Sequence, residues 1–357
     1  MAKSWKDALL SSGIPLENDV RNYMAQQGCL AEFEHSYLRA DEARVLRQFS
    51  YDIDASLIQP PHFVDFLIEC KYRHPSVSWL FTPDEYEGHT ELGPNDFMHP
   101  LTLFVGKTCV AESSLFPRRL ALCCSKGVEL TSEGANDKAI AQAVSQLAFG
   151  MARRVADAVE HQVHDLLRGD YVFYHLPVIV TSAALHRLRD NVTVDSIRSA
   201  SELGEVADQV NVLVLRHRTG IELRQHNAAV LAALRAGLGD DALNGKLQPR
   251  RSGLDHAFEV LADDTPRAIV VVSTHGGWHG MDHLFGYVRE LLEPSPTLVS
   301  EMRSQVEGFQ AMIEKNEAGR ARSKAKPSAP KVNKALQPTS PVSRGGSSKR
   351  PRGGARG

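Results

Sequence analysis

Near the amino terminus, apolar side chains recur every three or four positions from Leu16 to Met24. This spacing predicts an amphipathic helix. Pro15 suits the first turn of such a helix, and Gly28 suits its end. The sequence therefore predicts a helix over about residues 16–27.

Further along the chain, extended and helical patterns alternate. Runs rich in β-branched and aromatic residues predict strands, and apolar steps of three and four predict helices. The predicted strands are 30–38, 45–57, 63–72, 172–181, 210–215 and 268–273. The predicted helices are 137–167, 221–236, 281–292 and 298–315. Because strands and helices alternate, we expect an α/β fold. Pro177 should keep its strand at a sheet edge or split it.

Composition changes this picture little. The 357 residues are 42% hydrophobic and 24% charged, as in ordinary soluble globular proteins. The sequence has no apolar run of about 18 residues and does not begin like a signal peptide. Its five cysteines form no C-x-x-C pair. These features favour a cytoplasmic protein with reduced thiols and no membrane contact.

Charge is unevenly distributed along the chain. Residues 320–357 hold 11 Lys and Arg and no Asp or Glu, which leaves 30 basic against 43 acidic residues elsewhere. Few apolar residues occur from 319 to 357, so we predict a disordered tail. Its Arg-Gly repeats are typical of nucleic-acid-binding tails, although a solubilising extension explains them equally well. The candidate nucleic-acid contacts are Arg344, Lys349, Arg350, Arg352 and Arg356.

Candidate chemistry lies on two of the predicted strands. Glu69 and Lys71 are two apart, so both side chains should point to one face, with the Cys70 carbonyl between them. On the preceding strand, alternation should place Asp52 and Asp54 on one face. If the strands pair, Asp54 can stand beside Glu69. Carboxylate and carbonyl oxygens suit Mg²⁺. Charged side chains on an otherwise apolar strand are costly to bury, and a functional role would explain them.

Three segments carry a family resemblance. Ser12–Glu17, Phe49–Asp54 and Phe66–Arg73 resemble the restriction-endonuclease-like superfamily, the PD-(D/E)xK nucleases, and most of all its Mrr-like and Holliday-junction-resolvase-like groups. The resemblance implies an α-β-β-β-α-β core with a mixed sheet between helices. It covers residues 12–73 well and extends weakly to about 185.

The resemblance also implies roles for five residues. Asp54 and Glu69 would bind the metal, and Lys71 would act on the attacking water. The Cys70 backbone carbonyl, which the strand pattern places between Glu69 and Lys71, would supply a further metal ligand. Glu17 would bind a second metal or a metal-bound water. Asp52, two before the catalytic aspartate, would be a helper.

These observations divide the chain into three parts. Residues 1–185 would form the nuclease-like core, with an insertion at about 73–135. Residues 186–318 would form an α/β extension of open role, such as a dimer surface or a partner dock. Residues 319–357 would be the basic tail.

The predicted function is Mg²⁺- or Mn²⁺-dependent hydrolysis of nucleic-acid phosphodiester bonds by an endonuclease, with DNA favoured over RNA. One alternative is a catalytically silent protein of the same fold that binds nucleic acid through its tail. Another is a zinc protein centred on His275, His279 and His283, although three glycines in that stretch favour a loop and helix start instead.

Overall fold

The structure is a computed structural model that describes residues 4–40, 45–85, 91–105, 116–164, 166–167, 171–247, 253–302, 304 and 308. The described residues up to 304 group into one compact unit. The predicted disordered tail and its basic residues lie outside the described residues, as does most of the predicted helix 298–315.

The described residues form helices and strands that alternate along the chain. The helices are α1 (Trp5–Ser11), α2 (Ile14–Gln26), α3 (Pro94–Phe97), α4 (Lys138–His164), α5 (Val194–Ser199), α6 (Ile221–Leu238), α7 (Asp240–Lys246), α8 (Leu254–Asp264) and α9 (His279–Leu292). The strands are β1 (Leu30–Ala40), β2 (Leu46–Gln59), β3 (His62–Lys71), β4 (Ser78–Pro83), β5 (Pro100–Leu101), β6 (Cys123–Thr131), β7 (Gly134–Asn136), β8 (Val172–Thr181), β9 (Ala184–Leu188), β10 (Ala207–Val210), β11 (Val212–Arg216) and β12 (Ala268–Ser273).

The strands join one mixed sheet in the order β1-β2-β3-β8-β12-β11-β6-β4-β9-β10. β1, β2 and β3 are antiparallel, whereas β3, β8 and β12 run parallel. Two short strands pair off this path, β5 with β8 and β7 with β6. Strands on both sides of residue 185 therefore belong to the same sheet. The described residues thus confirm a mixed α/β fold.

Helices cover both faces of the sheet. On one face, the buried side chains of α2 and α9 pack against those residues of β3 that point to this face, such as Phe66 and Ile68. On the other face, α4, α6 and α8 bury their apolar stripes against residues such as Leu67 and Ile179. Alternate residues of β3 thus enter different cores, which explains its near-continuous apolar run.

Pro177 was expected to confine its strand to an edge or to split it, and both expectations are wrong, since β8 is continuous through Pro177. β8 is central, between β3 and β12. On the side away from β3, β5 pairs with β8 only at Phe173 and Tyr174, and β12 begins to pair at Val178. Pro177 lies in the gap between these partners, so the central position tolerates a residue without an N–H.

The described helices cannot cross a bilayer, because none of them is both long and apolar enough.

Gly280 allows α9 to lie close to the sheet. A Cβ atom there would lie 2.6 Å from the Asn211 carbonyl oxygen and 3.0 Å from that of Ser273. Because both obstacles are backbone atoms, we expect Gly280→Ala to lower the free energy of unfolding by about 1–3 kcal/mol. Urea denaturation would measure this loss.

Gly286 on the same helix provides the matched control, because a Cβ there meets nothing within 4 Å. Gly286→Ala should leave stability unchanged or raise it by up to about 1 kcal/mol. Equal effects of the two variants would contradict the close packing of the first turn of α9.

Candidate functional site

Four of the five predicted site residues come together where β3 ends. The charges of Glu17, Asp52 and Lys71 all act on the carboxyl group of Glu69. Glu17 in turn is influenced by Asp52 and Lys71. We call Glu17, Asp52, Glu69 and Lys71 the carboxylate–lysine cluster. It unites a helix and two strands that are separated in sequence.

β3 fixes two members of the cluster. Glu69 lies opposite Ile179 and Lys71 opposite Thr181 in the parallel ladder with β8. The Thr181 hydroxyl donates to the Lys71 carbonyl oxygen at 2.9 Å, which anchors the end of the strand. Lys71 Nζ donates to Glu69 Oε1 in an ion pair. The Glu69 side chain is only 1% exposed, so this pair is almost removed from solvent.

Asp52 joins the cluster because β2 is irregular there. Between β1 and β2, Phe33 pairs with Ile53 and His35 pairs with Tyr51, but Glu34 and Asp52 between them do not pair. Glu34 has a φ of 58°. Tyr51 and Ile53 are both buried but lie in different cores. The alternation predicted for this segment is therefore broken at Asp52.

The side chain of Asp52 turns toward β3. Its Oδ2 accepts a hydrogen bond from the Cys70 backbone N–H at 2.7 Å. The Cys70 backbone thus lies beside the cluster, where a role for its carbonyl oxygen as a metal ligand stays a prediction. Burial above all, with the three nearby carboxylates, raises the pKa of the Cys70 thiol, so this thiol stays protonated.

Glu17 reaches the cluster from the first turn of α2. Gly13, which precedes the helix, has a φ of 85°, a left-handed conformation that favours glycine. A Cβ at Gly13 would lie 3.0 Å from Glu17 Oε1. The glycine therefore leaves room for the carboxylate at the helix start, where the N–H dipoles favour negative charge.

Asp54, the fifth predicted residue, contacts different groups. Its Oδ1 accepts from the Tyr51 hydroxyl at 2.7 Å, and its Oδ2 lies 3.5 Å from Arg154 Nη2. Arg154 also donates to Asp65 at 2.6 Å. The structure thus places Asp54 in an ion network with α4, and its predicted role as a metal ligand stays untested.

The cluster favours partial protonation when no cation is bound. Burial, more than the repulsion of Asp52, raises the pKa of Glu69 from 4.5 to about 7, despite the opposing attraction of Lys71. Burial also raises the pKa of Asp52 and Glu17, and repulsion between carboxylates adds to it. A bound cation would relieve the repulsion and the cost of burying these charges.

The donor set fits a hard divalent cation. Glu69 Oε2 is buried without a hydrogen-bond partner, and two further carboxylates lie close by. Within the described residues, no three His, Cys, Asp or Glu side chains are arranged as a ready-made metal site. Asp52 Oδ2 is engaged by the Cys70 amide and Glu69 Oε1 by Lys71, so the unpartnered Glu69 Oε2 is the oxygen of this residue that is left for a cation.

Gln146 on α4 was not predicted from the sequence. Its Oε1 accepts from Lys71 Nζ at 3.4 Å, and its Nε2 donates to the Ser50 carbonyl oxygen at 3.1 Å. The second bond fixes which end of the amide faces Lys71. A lone glutamine on a long amphipathic helix carries no sequence signal, since only the packing of α4 on β2 brings it to the lysine.

The three histidines considered for zinc lie at the loop and start of α9, as the glycine-rich pattern predicted. His283 Nε2 donates to the Leu120 carbonyl oxygen at 2.8 Å, which engages one of its two ring nitrogens. His275 and His279 are exposed. In the part of the chain that the structure describes, these residues form no group that could hold a metal.

Comparisons with protein-family models, curated proteins and solved structures found no match for this chain.

Arg154 compensates two carboxylates on neighbouring strands, one of them, Asp65, 3% exposed. Arg154→Met should lower the free energy of unfolding by about 3–5 kcal/mol, because Asp65 would keep a buried charge without its partner. Chemical denaturation would measure this.

The neighbouring Arg153 is the control, since it is 58% exposed and pairs with Asp157 on the same helix. Arg153→Met should change stability by less than about 1 kcal/mol. Similar losses in both variants would show that the buried network contributes nothing special.

Because the pKa of Glu69 is raised in the folded state, the metal-free protein should become less stable as pH rises. The folded state holds this proton up to about pH 7, whereas an unfolded glutamate releases it near 4.5. Its contribution to stability is therefore complete below 4.5 and lost as pH rises through 7. Urea denaturation in EDTA between about pH 5 and 8 should show this decline, and Glu69→Gln should flatten it.

Glu133→Gln, at the exposed turn between β6 and β7, is the control and should keep the wild-type pH profile. A Glu69→Gln profile that parallels wild type would contradict the raised pKa.

Proposed function

We propose that this protein is a metal-dependent nuclease that hydrolyses nucleic-acid phosphodiester bonds. The observation that carries the proposal is the convergence of Glu17, Asp52, Glu69 and Lys71 at the end of β3. Three buried or half-buried carboxylates beside one lysine are costly for folding alone. They suit chemistry in which a cation and a positioned amine act on a phosphate.

The order of elements supports the same proposal. α2, β1, β2, β3, α4 and β8 follow one another as α-β-β-β-α-β, with the sheet order β1-β2-β3-β8. This is the arrangement implied by the resemblance to the PD-(D/E)xK nucleases. The segments β4 to β7 lie between β3 and α4, where the sequence indicated an insertion.

We infer that Asp52 and Glu69 are the main metal ligands, with Glu17 as an additional one. Mg²⁺, or Mn²⁺ in its place, would supply charge neutralisation at the phosphate and lower the pKa of water. Asp52, rather than Asp54, is preferred because it is within electrostatic reach of Glu69 and Glu17. The carboxylates hold the negative charges that a divalent cation requires.

Lys71 would position the attacking water and stabilise charge on the phosphate. Its ammonium group lies between the Glu69 carboxylate and the Gln146 amide. A cation on Glu69 would weaken the ion pair and free Lys71 to face the substrate. Gln146 would then be a positioning residue, because it retains one contact with the amine.

We infer that DNA is the preferred substrate, since the resemblance to the PD-(D/E)xK nucleases favours it over RNA. The resemblance to the Mrr-like and Holliday-junction-resolvase-like groups also favours cleavage within the strand, as an endonuclease. The basic tail at 320–357 would add non-specific contact with phosphate, which weakens as salt rises.

Cleavage of plasmid and single-stranded DNA with Mg²⁺ or Mn²⁺ tests the proposal. Asp52→Asn and Lys71→Ala should each lower the cleavage rate by at least about a hundredfold, because each removes a group acting on the reacting atoms. Lys126→Ala, which removes an exposed lysine on β6, should cleave as wild type does.

Asp54→Asn decides between the two aspartates. Wild-type cleavage in Asp54→Asn, with loss in Asp52→Asn, would support Asp52 as the ligand, and the reverse would restore Asp54. Undiminished cleavage in Lys71→Ala would overturn the assigned site. Salt-sensitive DNA binding without cleavage by wild type would instead favour the catalytically silent alternative.

A further inference from the structure

A cavity of about 540 Å³ lies between α9 and the strands β9 to β11, and its lining shares no residue with the carboxylate–lysine cluster. This volume falls in the range of sites for small molecules. Its lining, within the described residues, includes basic and amide side chains but no Asp or Glu. The polar lining side chains are Arg187, Gln209, Asn211, His279 and His283.

Arg187 is the buried charge of this cavity. The residue is 7% exposed, and its Nε is buried without a hydrogen-bond partner. Its Nη2 donates to Asp190 at 2.9 Å, but that carboxylate is 68% exposed and largely solvated. The positive charge of this buried guanidinium group is therefore only partly offset, and an anion in the cavity would offset it further.

The start of α9 adjoins the same cavity. This 14-residue helix has no side-chain cap at its N-terminus, so the N–H groups of its first turn lack the usual side-chain acceptor. His279, the first helical residue, lines the cavity. Gly280 packs against the backbone of Asn211, another lining residue. Helix N-termini of this kind favour anions.

His283, one turn further along α9, completes the wall. Its Nε2 donates to the carbonyl oxygen of Leu120, which also lines the cavity. This bond ties the helix to the segment before β6. The cavity is thus bounded by fixed elements on both sides.

We propose that this cavity binds a small oxyanion, the phosphate or carboxylate group of a low-molecular-weight ligand. Arg187 would supply positive charge from within, and His279 at the start of α9 would donate from the helix side. The lining brings no acidic side chain to repel the anion. The cavity is separate from the proposed nuclease chemistry, so it would serve as an additional ligand site.

Isothermal titration of the full-length protein at constant ionic strength, with inorganic phosphate and in parallel with acetate, tests this proposal. Saturable binding of phosphate or of acetate would support the proposal and show whether the cavity takes a phosphate or a carboxylate group. Arg187→Gln and His279→Gln should each weaken binding by about tenfold or more. Arg189→Gln, which alters an exposed arginine paired with Asp208, is the control and should bind as wild type does.

The two variants are complementary, because Arg187→Gln alters a buried residue and His279→Gln an exposed one. Should Arg187→Gln fail to fold, His279→Gln still decides. Lys71→Ala should retain anion binding, which separates this site from the nuclease cluster. No saturable binding of either anion, unchanged affinity in His279→Gln, or equal loss in Arg189→Gln would overturn the proposal.

Discussion

The structure depends on keeping charged side chains on a strand that is buried on both faces. β3 lies in the sheet between β2 and β8, with helices over each side. It nevertheless carries Asp65 and Glu69, both almost completely buried. Arg154 compensates Asp65, and Lys71 pairs with Glu69. Each carboxylate thus has a basic side chain as its partner. A buried charge without a partner would cost several kcal/mol, which is of the order of the free energy of unfolding of a whole protein.

These two ion pairs differ in what surrounds them. In the Arg154 network, Asp54 accepts from the Tyr51 hydroxyl and lies beside the guanidinium group, although Arg154 Nε is buried without a partner. The pair of Glu69 and Lys71 lies beside further carboxylates, and Glu69 keeps a buried oxygen without a partner. The first arrangement serves stability. In the second arrangement, Asp52 and Glu17 repel the Glu69 carboxylate, and such perturbed groups are common at functional sites.

The proposed anion cavity is lined by a different kind of side chain from that of the cluster. There the polar side chains are basic or amide groups, and the charge of the buried Arg187 guanidinium is only partly offset by the exposed Asp190. The same fold therefore offers a cluster that suits a cation and a cavity that suits an anion. Both lie at ends of strands, where side chains and backbone groups leave the ladder of the sheet.

The sequence by itself determined many of the elements and part of the site. Helical spacing and apolar runs indicated α2, α4, β8 and β12 within a few residues, since periodicity reflects local burial. The spacing of Glu69 and Lys71 placed both on one strand face. The tertiary structure alone decided which aspartate joins them, because the irregularity at Asp52 breaks the alternation assumed from sequence. Pairing of distant segments likewise brought Gln146 to Lys71, a contact that no local pattern encodes.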